Sequence, residues 1–394
     1  MDNPSFSFAT PLPQSTRSDV LEWTFPKPYH QYVLTGRSRA AWQTSFVIPQ
    51  LNLLLDAGLC VNRLRPKHIF ITHGHNDHTL LAPAFVKRED PPDVYCPVDM
   101  KRVFDDFILS NTMLNLGGLI AVDDAEKQGM SADETPHDDD YTRRPSERAW
   151  LNTHRTYAVK HGDSIPLRRL KGISAEAFAC DHTVPCLGYV FKSTTHKLQR
   201  KFSDVPGKDL GELRKSGVEL TEPRTVPIFA FLGDTTTKTL EAEPEWLKKE
   251  IPVVITECSF LREEHREQAV KTKHTIWGDL EKVVRKWPKT IFVLTHFSLR
   301  YSEAEIVQFF KDLPDCPKNL VIWADGEADA GEGGRGRDRA PIDDEDDERG
   351  YHSEGSRLSD SIQGAARKPS AQNDRDSPDT KERKNLMDIM SNST

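Results

Sequence analysis

Seven consecutive residues, Thr72-His73-Gly74-His75-Asn76-Asp77-His78, constrain this chain more than any other stretch. They follow the apolar run Ile69-Phe70-Ile71, which reads as a buried strand, so three imidazoles and a carboxylate crowd one loop at a strand end. Nitrogen and carboxylate ligands packed this closely suit divalent cations. Neighbours on so short a loop cannot all reach one ion in good geometry. Assigning His73 and His75 to one ion, and Asp77 and His78 to another, removes the conflict. The spacing therefore predicts a dinuclear metal site just beyond a strand.

The surrounding pattern is α/β. Between about residues 29 and 325, short apolar runs alternate with turn signals and amphipathic stretches. VIPQLNLLLDAG reads as a hairpin ending at Asp56, and VPIFAFLGD, IPVVITECSF and KTIFVLTHF read as buried strands. WGDLEKVVRKW and SEAEIVQFFKDL carry the helical period. Each strand runs into polar residues at its C-terminal end, where α/β sheets place their sites.

Outside this pattern the composition changes. Residues 1–28, rich in Pro, Ser and Thr, read as an unstructured tail without a signal-peptide core. Residues 123–147 read as an acidic disordered insertion, and residues 326–394 as an acidic, low-complexity disordered tail. Asp325 to Arg349 alone carries about −7 of the chain's net −8, so the overall acidity says little about the folded surface. No apolar run is long enough to span a bilayer. The six cysteines (Cys60, Cys96, Cys180, Cys186, Cys258 and Cys316) form no C-x-x-C pair and are expected to be small buried apolar residues in a reducing compartment. The expected location is intracellular, cytoplasmic or nuclear. His68, His161 and His265 are expected in solvated positions, and His137, His154 and His352 in or near the unstructured segments.

The HGHNDH run resembles the H-x-H-x-D-H signature of metallo-β-lactamase-fold hydrolases, and the likeness extends in order through most of residues 29–325, most specifically to the ribonuclease Z family in a short, divergent form. That resemblance implies an α/β, four-layer αββα sandwich: two mixed β-sheets flanked by helices, with two zinc ions (manganese as the alternative) at one edge. It implies that Asp56 in LLLDAG orients the metal loop, that His182 in CDHTVPCLGYVF and His296 in LTHFSLRY are further ligands, and that Asp234 in FLGDTT bridges both ions. Asp77 would bind metal and also accept the nucleophile's proton. His274 in KTKHTIWGDL matches the family's general acid, held by Glu257 in VVITECSF, although Thr256, Cys258 and Ser259 replace the residues usual around that acid.

Such chemistry suits phosphodiester hydrolysis, and the family implies precursor tRNA as the RNA partner, cut at its 3′ end, with a homodimer possible and no membrane involved. Between His182 and Asp234, where the family carries an RNA-gripping arm, lies a short basic interval with Lys197, Arg200, Lys201, Lys208, Arg214 and Lys215. Lys208, Arg214, Lys215 and Arg300 are candidate substrate contacts; surface lysines without RNA contact, or an ion pair for Arg300, explain them equally well. Two other functions remain open at this stage: hydrolysis of a small phosphodiester, ester or lactone on the same fold, and RNA or protein binding without turnover.

Overall fold

A computed structural model describes residues 8–15, 18–60, 65–86, 89–115 and 153–326. Two mixed sheets share one design. The first, in spatial order, holds β1 (Leu12–Pro13), β2 (Leu21–Thr24), β3 (Val33–Arg39), β4 (Gln43–Ile48), β5 (Leu53–Leu55), β6 (His68–Phe70), β7 (Asp93–Pro97) and β8 (Arg155–Val159). Its members pair antiparallel as far as β5 and parallel from there on. The second holds β9 (Ser164–Pro166), β10 (Ile173–Cys180), β11 (Cys186–Leu198), β12 (Thr221–Phe231), β13 (Val253–Glu257), β14 (Ile291–Thr295) and β15 (Leu320–Ile322). It too changes from antiparallel to parallel, at β12. The described helices are α1 (Asn76–Thr79), α2 (Lys101–Asn115), α3 (Gly207–Lys215), α4 (Lys238–Glu241), α5 (Glu245–Lys248), α6 (Arg266–Thr272), α7 (Trp277–Lys286) and α8 (Glu303–Lys311).

Strand alternation builds the layers. Phe46 and Ile48 of β4, Leu53 and Leu55 of β5 and Phe70 of β6 pack in one core with Phe229 and Phe231 of β12, Val253 and Ile255 of β13 and Val293 of β14. Side chains of successive residues leave opposite faces. Hence Val47, Leu54 and Ile69 enter a second core with Phe104 and Ile108 of α2. Val254, Phe292 and Leu294 enter a third with Leu280 and Val284 of α7 and Ile306 and Phe310 of α8. Three cores between four layers make the expected αββα sandwich. The Ser302 hydroxyl caps α8 and Glu305 answers it, a reciprocal capping box that fixes where that helix begins.

The expected N-terminal tail needs correction. Leu21, Trp23 and Phe25 alternate toward the inter-sheet core, which makes β2 a strand on the first sheet. Further upstream, Ala9 exchanges backbone hydrogen bonds with Leu320 and Ile322 beside β15, and Phe8 packs against Phe310. The folded region therefore begins by residue 8 rather than at 29. The Pro, Ser and Thr content of residues 1–28 obscures a short alternating run that is sufficient for an edge strand. The expected insertion 123–147 and the tail from 327 onward lie outside the described residues.

Arg39, at the end of β3, ties the sheets together near the site. Its buried guanidinium donates to the carbonyls of Phe297, Ser298 and Tyr301 and pairs with Glu303, so a first-sheet side chain anchors the loop after β14. Beyond the sandwich, β11 and β12 continue as a paired ribbon, with Lys192 opposite Pro227 and Leu198 opposite Thr221, and α3 closes its far end. No described helix is long and apolar enough to cross a membrane.

Candidate metal centre and active site

The parallel halves of both sheets end on the same side, and the loops there carry the chemistry. Beyond β5 and β6 come Asp56 and the loop leading into α1. The β10–β11 turn carries His182, and Asp234, Glu257 and His296 stand at the ends of β12, β13 and β14. Asp56 and His296 adopt left-handed backbone, with φ of 55° and 60°, a conformation that non-glycine residues hold only where surrounding structure enforces it. At Gly58 a Cβ would stand 1.6 Å from the Asp77 carbonyl oxygen, so only glycine lets the chain pass behind the metal loop.

Hydrogen bonds settle which ring atoms face inward. Thr72 donates its hydroxyl to Asp56 Oδ2 at 2.8 Å, so its oxygen accepts from His73 Nδ1 at 3.0 Å. His182 Nδ1 must donate to the Lys273 carbonyl at 3.2 Å, since a carbonyl only accepts. Both residues therefore present a bare Nε2, and both approach His75 Nδ1, at 3.0 and 3.3 Å. One proton on His75 can satisfy only one of these lone pairs. A cation satisfies all three nitrogens, with Asp234 Oδ2 beyond them at 3.7 Å from His73 and 3.9 Å from His182.

A second group sits alongside. His78 Nδ1 donates to Asp56 Oδ2 at 2.8 Å. Ser259, whose hydroxyl donates to Glu257 Oε2 at 2.6 Å, accepts from His296 Nδ1 at 3.1 Å. The Nε2 atoms of His78 and His296 then lie 3.4 and 3.2 Å from Asp77 Oδ2, and 3.3 and 3.4 Å from Asp234 Oδ1. Asp234 thus turns one oxygen to each group, and its buried Oδ1 has no hydrogen-bond donor. In both groups the potential ligand atoms all lie within 4.8 Å of one another. Nitrogen and carboxylate donors so arranged, with the outer ring nitrogens held by Asp56, Thr72, Ser259 and a carbonyl, fit a pair of divalent ions.

Electrostatics agree with that fit. Burial, reinforced by neighbouring histidines, pushes His73, His75 and His182 down, His75 to about 4, which keeps these rings neutral as ligands must be. Burial opposes charge on Asp77 as well, but His78 and His296 outweigh it and hold the carboxyl well below its usual range. At Asp56 burial prevails over His78 and Thr72 and raises the carboxyl.

Next to the second group stands a different kind of histidine. His274 Nδ1 donates to Glu257 Oε1 at 2.9 Å, and burial's downward pull is exceeded by Glu257, Asp234 and Asp77, which raise His274 to about 9. Glu257 is saturated with donors: Thr235 N–H at 2.6 Å, Thr275 N–H at 3.0 Å, Ser259 and His274. With its oxygens so occupied it is an anchor for His274 rather than a ligand. His274 is therefore cationic at neutral pH, and its Nε2 is the ring atom left to carry an exchangeable proton.

The structure brings His73, His75, Asp77, His78, His182, Asp234, His296, Asp56, Glu257 and His274 into one region. Arg300 lies outside the ligand groups, donating to Ser298 and Gln268 with its guanidinium 5.3 Å from the Phe260 ring. Lys208, Arg214 and Lys215 are exposed on α3, out on the ribbon. Sequence reading left three contributors unassigned: Ser259, noted only as a departure from the family, Thr72 and Lys273. A hydroxyl following each strand (THGH, ECSF) was the available signal.

Some histidine and cysteine expectations change. His68 is fully buried in β6 rather than solvated; burial, against the opposing pull of Asp93, drives it down to about 4. Its place in a strand that is buried on both faces explains the error. His154 is held at 3.2 Å by Asp105, and His265 by the Tyr301 hydroxyl at 2.7 Å. His137 and His352 lie outside the described residues. All six cysteines are free, but only Cys96, Cys186 and Cys258 are fully buried; Cys60, in the turn after Gly58, is exposed.

Residues 55–154 match the family model described as the metallo-beta-lactamase superfamily. Two mixed sheets, flanking helices and this donor set agree with that match and make a metal-dependent hydrolase of the metallo-β-lactamase fold. The chain is 29% identical to a chloroplastic tRNase Z of Arabidopsis thaliana over 70% of each protein. A second tRNase Z of that plant is 25% identical over 72% of this chain and 91% of the relative. A crystal structure of the short form of human tRNase Z is 16% identical, covers 82% of this chain and 96% of its own, and gives a TM-score of 0.35. The chain is thus similar to proteins of the ribonuclease Z family.

Proposed function

We propose that the protein is a dinuclear phosphodiesterase that cuts precursor tRNA at its 3′ end. The observation that carries this reading is the pairing of a donor-converged double ligand group with a carboxylate-held, cationic His274. His73, His75 and His182 would hold one ion, Asp77, His78 and His296 the other, and Asp234 would touch both. Zinc fits the imidazole-rich set, with manganese as the alternative. When bound, such ions supply an activated water near neutral pH and stabilise charge on the entering and leaving oxygens of an in-line displacement.

The chain's own groups do the rest. Asp77, a carboxylate at any physiological pH, accepts the proton of the attacking water. His274, kept charged by Glu257, gives its proton to the departing 3′ oxygen, an alkoxide too basic to leave unassisted. Glu257 fixes the ring by accepting from Nδ1, so the proton in flight is the one on Nε2. The exposed basic residues of the ribbon, Lys197, Arg200, Lys201, Lys208, Arg214 and Lys215, meet the RNA backbone away from the cut, where neutralising phosphate supplies most of the affinity. Arg300 offers a planar fork that would meet a phosphate oxygen of the bound RNA. A homodimer and a cytoplasmic or nuclear location complete the reading.

Incubation of the full chain with precursor tRNA and Zn²⁺ or Mn²⁺ is expected to release the 3′ trailer, and Asp77→Ala to abolish release while the fold persists. Failure of the wild type to cut any structured RNA or bis-phosphodiester with either ion would refute the reading.

A further inference from the structure

Lys273 faces solvent at the end of α6, and its side chain is 45% exposed. In sequence it is one lysine in KTKHTIW, indistinguishable from a solubilising charge. Its backbone is unusual: φ of 54° and ψ of 49° place a non-glycine residue in the left-handed region directly before His274. That turn sends the Lys273 carbonyl toward the β10–β11 loop, where it accepts from His182 Nδ1. The side chain returns along the same path. Lys273 Nζ donates to the His182 carbonyl at 3.1 Å and to Asp181 Oδ1 at 3.0 Å. Backbone holds side chain and side chain holds backbone, in both directions between two residues.

Asp181 extends the arrangement to a third loop. Its Oδ2 accepts from the Thr236 hydroxyl at 2.9 Å, its amide donates to the hydroxyls of Thr235 and Thr239, and its carbonyl accepts from the Thr236 amide at 3.0 Å. Thr235 and Thr236 directly follow Asp234. Three loops, carrying His182, Asp234 and His274, are therefore joined through the Lys273–Asp181 bridge, with Lys238 also 3.4 Å from Asp181 Oδ2, and the His182 and His274 ring centroids stand 5.1 Å apart.

We propose that Lys273, acting with Asp181, is a positioning residue: its carbonyl fixes the His182 tautomer that leaves Nε2 free for metal, and its ammonium sets the distance between that ligand and the proton donor. The inference rests on the metal-site reading above. It predicts an asymmetry, because the ligand that Lys273 itself bonds, His182, belongs only to the group of His73 and His75. Asp77, His78 and His296 are held instead by Asp56 and Ser259.

The test uses Lys273→Gly in the full chain. Glycine keeps the left-handed turn and the carbonyl while removing the ammonium. Zinc affinities are measured by chelator competition, and site geometry by the visible absorption of the Co²⁺-loaded protein. One of two zinc ions is expected to weaken about tenfold, the usual scale for loss of a group behind a ligand, while the other is unchanged and the Co²⁺ bands shift. Lys273→Arg should restore both affinities. Asp181→Asn, which leaves the Lys273 backbone untouched, should reproduce the selective loss. Two ions bound with wild-type affinity in both Lys273→Gly and Asp181→Asn would overturn the inference alone. A wild type that holds fewer than two zinc ions would overturn the site reading and this inference with it.

Discussion

Replacing Asp56 by Asn changes one oxygen to an amide nitrogen, yet the structure makes it a severe perturbation. Asp56 is wholly buried and accepts three hydrogen bonds at 2.8 Å: Oδ1 from the Thr72 amide, Oδ2 from the Thr72 hydroxyl and from His78 Nδ1. Asparagine tolerates the left-handed backbone at this position, so strain does not confound the comparison. The amide has two possible orientations. With its oxygen at the Oδ2 position, the NH2 group confronts the Thr72 N–H and leaves buried donors unmatched, at about 1–3 kcal/mol. With the oxygen at the Oδ1 position, the NH2 group faces Thr72 Oγ1 and His78 Nδ1. His78 must then give up its Nδ1 proton and carry it on Nε2, the atom aimed at Asp77 and Asp234, which spoils a ligand. The second outcome predicts a zinc affinity lower by about 10–100-fold. Urea unfolding with chelator present reads the first cost, and chelator competition reads the second. Asp56→Asn with wild-type values in both assays would refute the account of how the metal loop is oriented.

Four further outcomes follow from the geometry. His274→Ala should lower kcat on RNA by about 10²–10⁴-fold at full metal content, with a much smaller loss on a nitrophenyl phosphodiester whose leaving group needs no proton; equal losses on both would contradict the general-acid role. With His274 acting in its charged form as proposed, activity should fall as pH rises through about 9. Glu257→Gln removes the largest upward pull and should move that falling limb to lower pH, and an unmoved limb would exclude Glu257 as its cause. His68, neutral in the fold with a pKa of about 4, binds more protons when unfolded, so stability is lost as pH drops below about 6.5. Between pH 7 and pH 5 the wild type should lose about 2 kcal/mol more than His68→Phe does in urea titrations, and parallel curves would disprove the linkage. Exchanging Lys208, Arg214 and Lys215 for Glu should raise KM for tRNA and flatten its salt dependence without changing cleavage of a small phosphodiester; unchanged RNA kinetics would remove the ribbon from substrate binding.

Much of this was legible beforehand because metal chemistry writes itself into short sequence. HGHNDH fits no ordinary turn, and Asp56, His182, Asp234 and His296 each follow a run whose apolarity marks a buried strand. What escaped was whatever depends on two distant segments meeting. Ser259 looked like a lapse from a family pattern until its hydroxyl was seen between Glu257 and His296. Lys273 carries no signal in the sequence, which says nothing about where a carbonyl points. His68 was misjudged because a histidine flanked by lysine and isoleucine gives no sign that neighbouring strands enclose it on both faces. The early strands failed for a related reason: windowed composition averages Leu21, Trp23 and Phe25 with the prolines around them.

The proposed ligands are shared between the two sheets. His73, His75, Asp77 and His78 descend from β6 in the first, while His182, Asp234 and His296 come from the second. Any ion seated there is stapled to both halves of the sandwich, so cation occupancy and the opening of the sandwich become one equilibrium. A cell that withheld the proposed ions from this protein would be loosening its architecture as well as silencing its proposed chemistry.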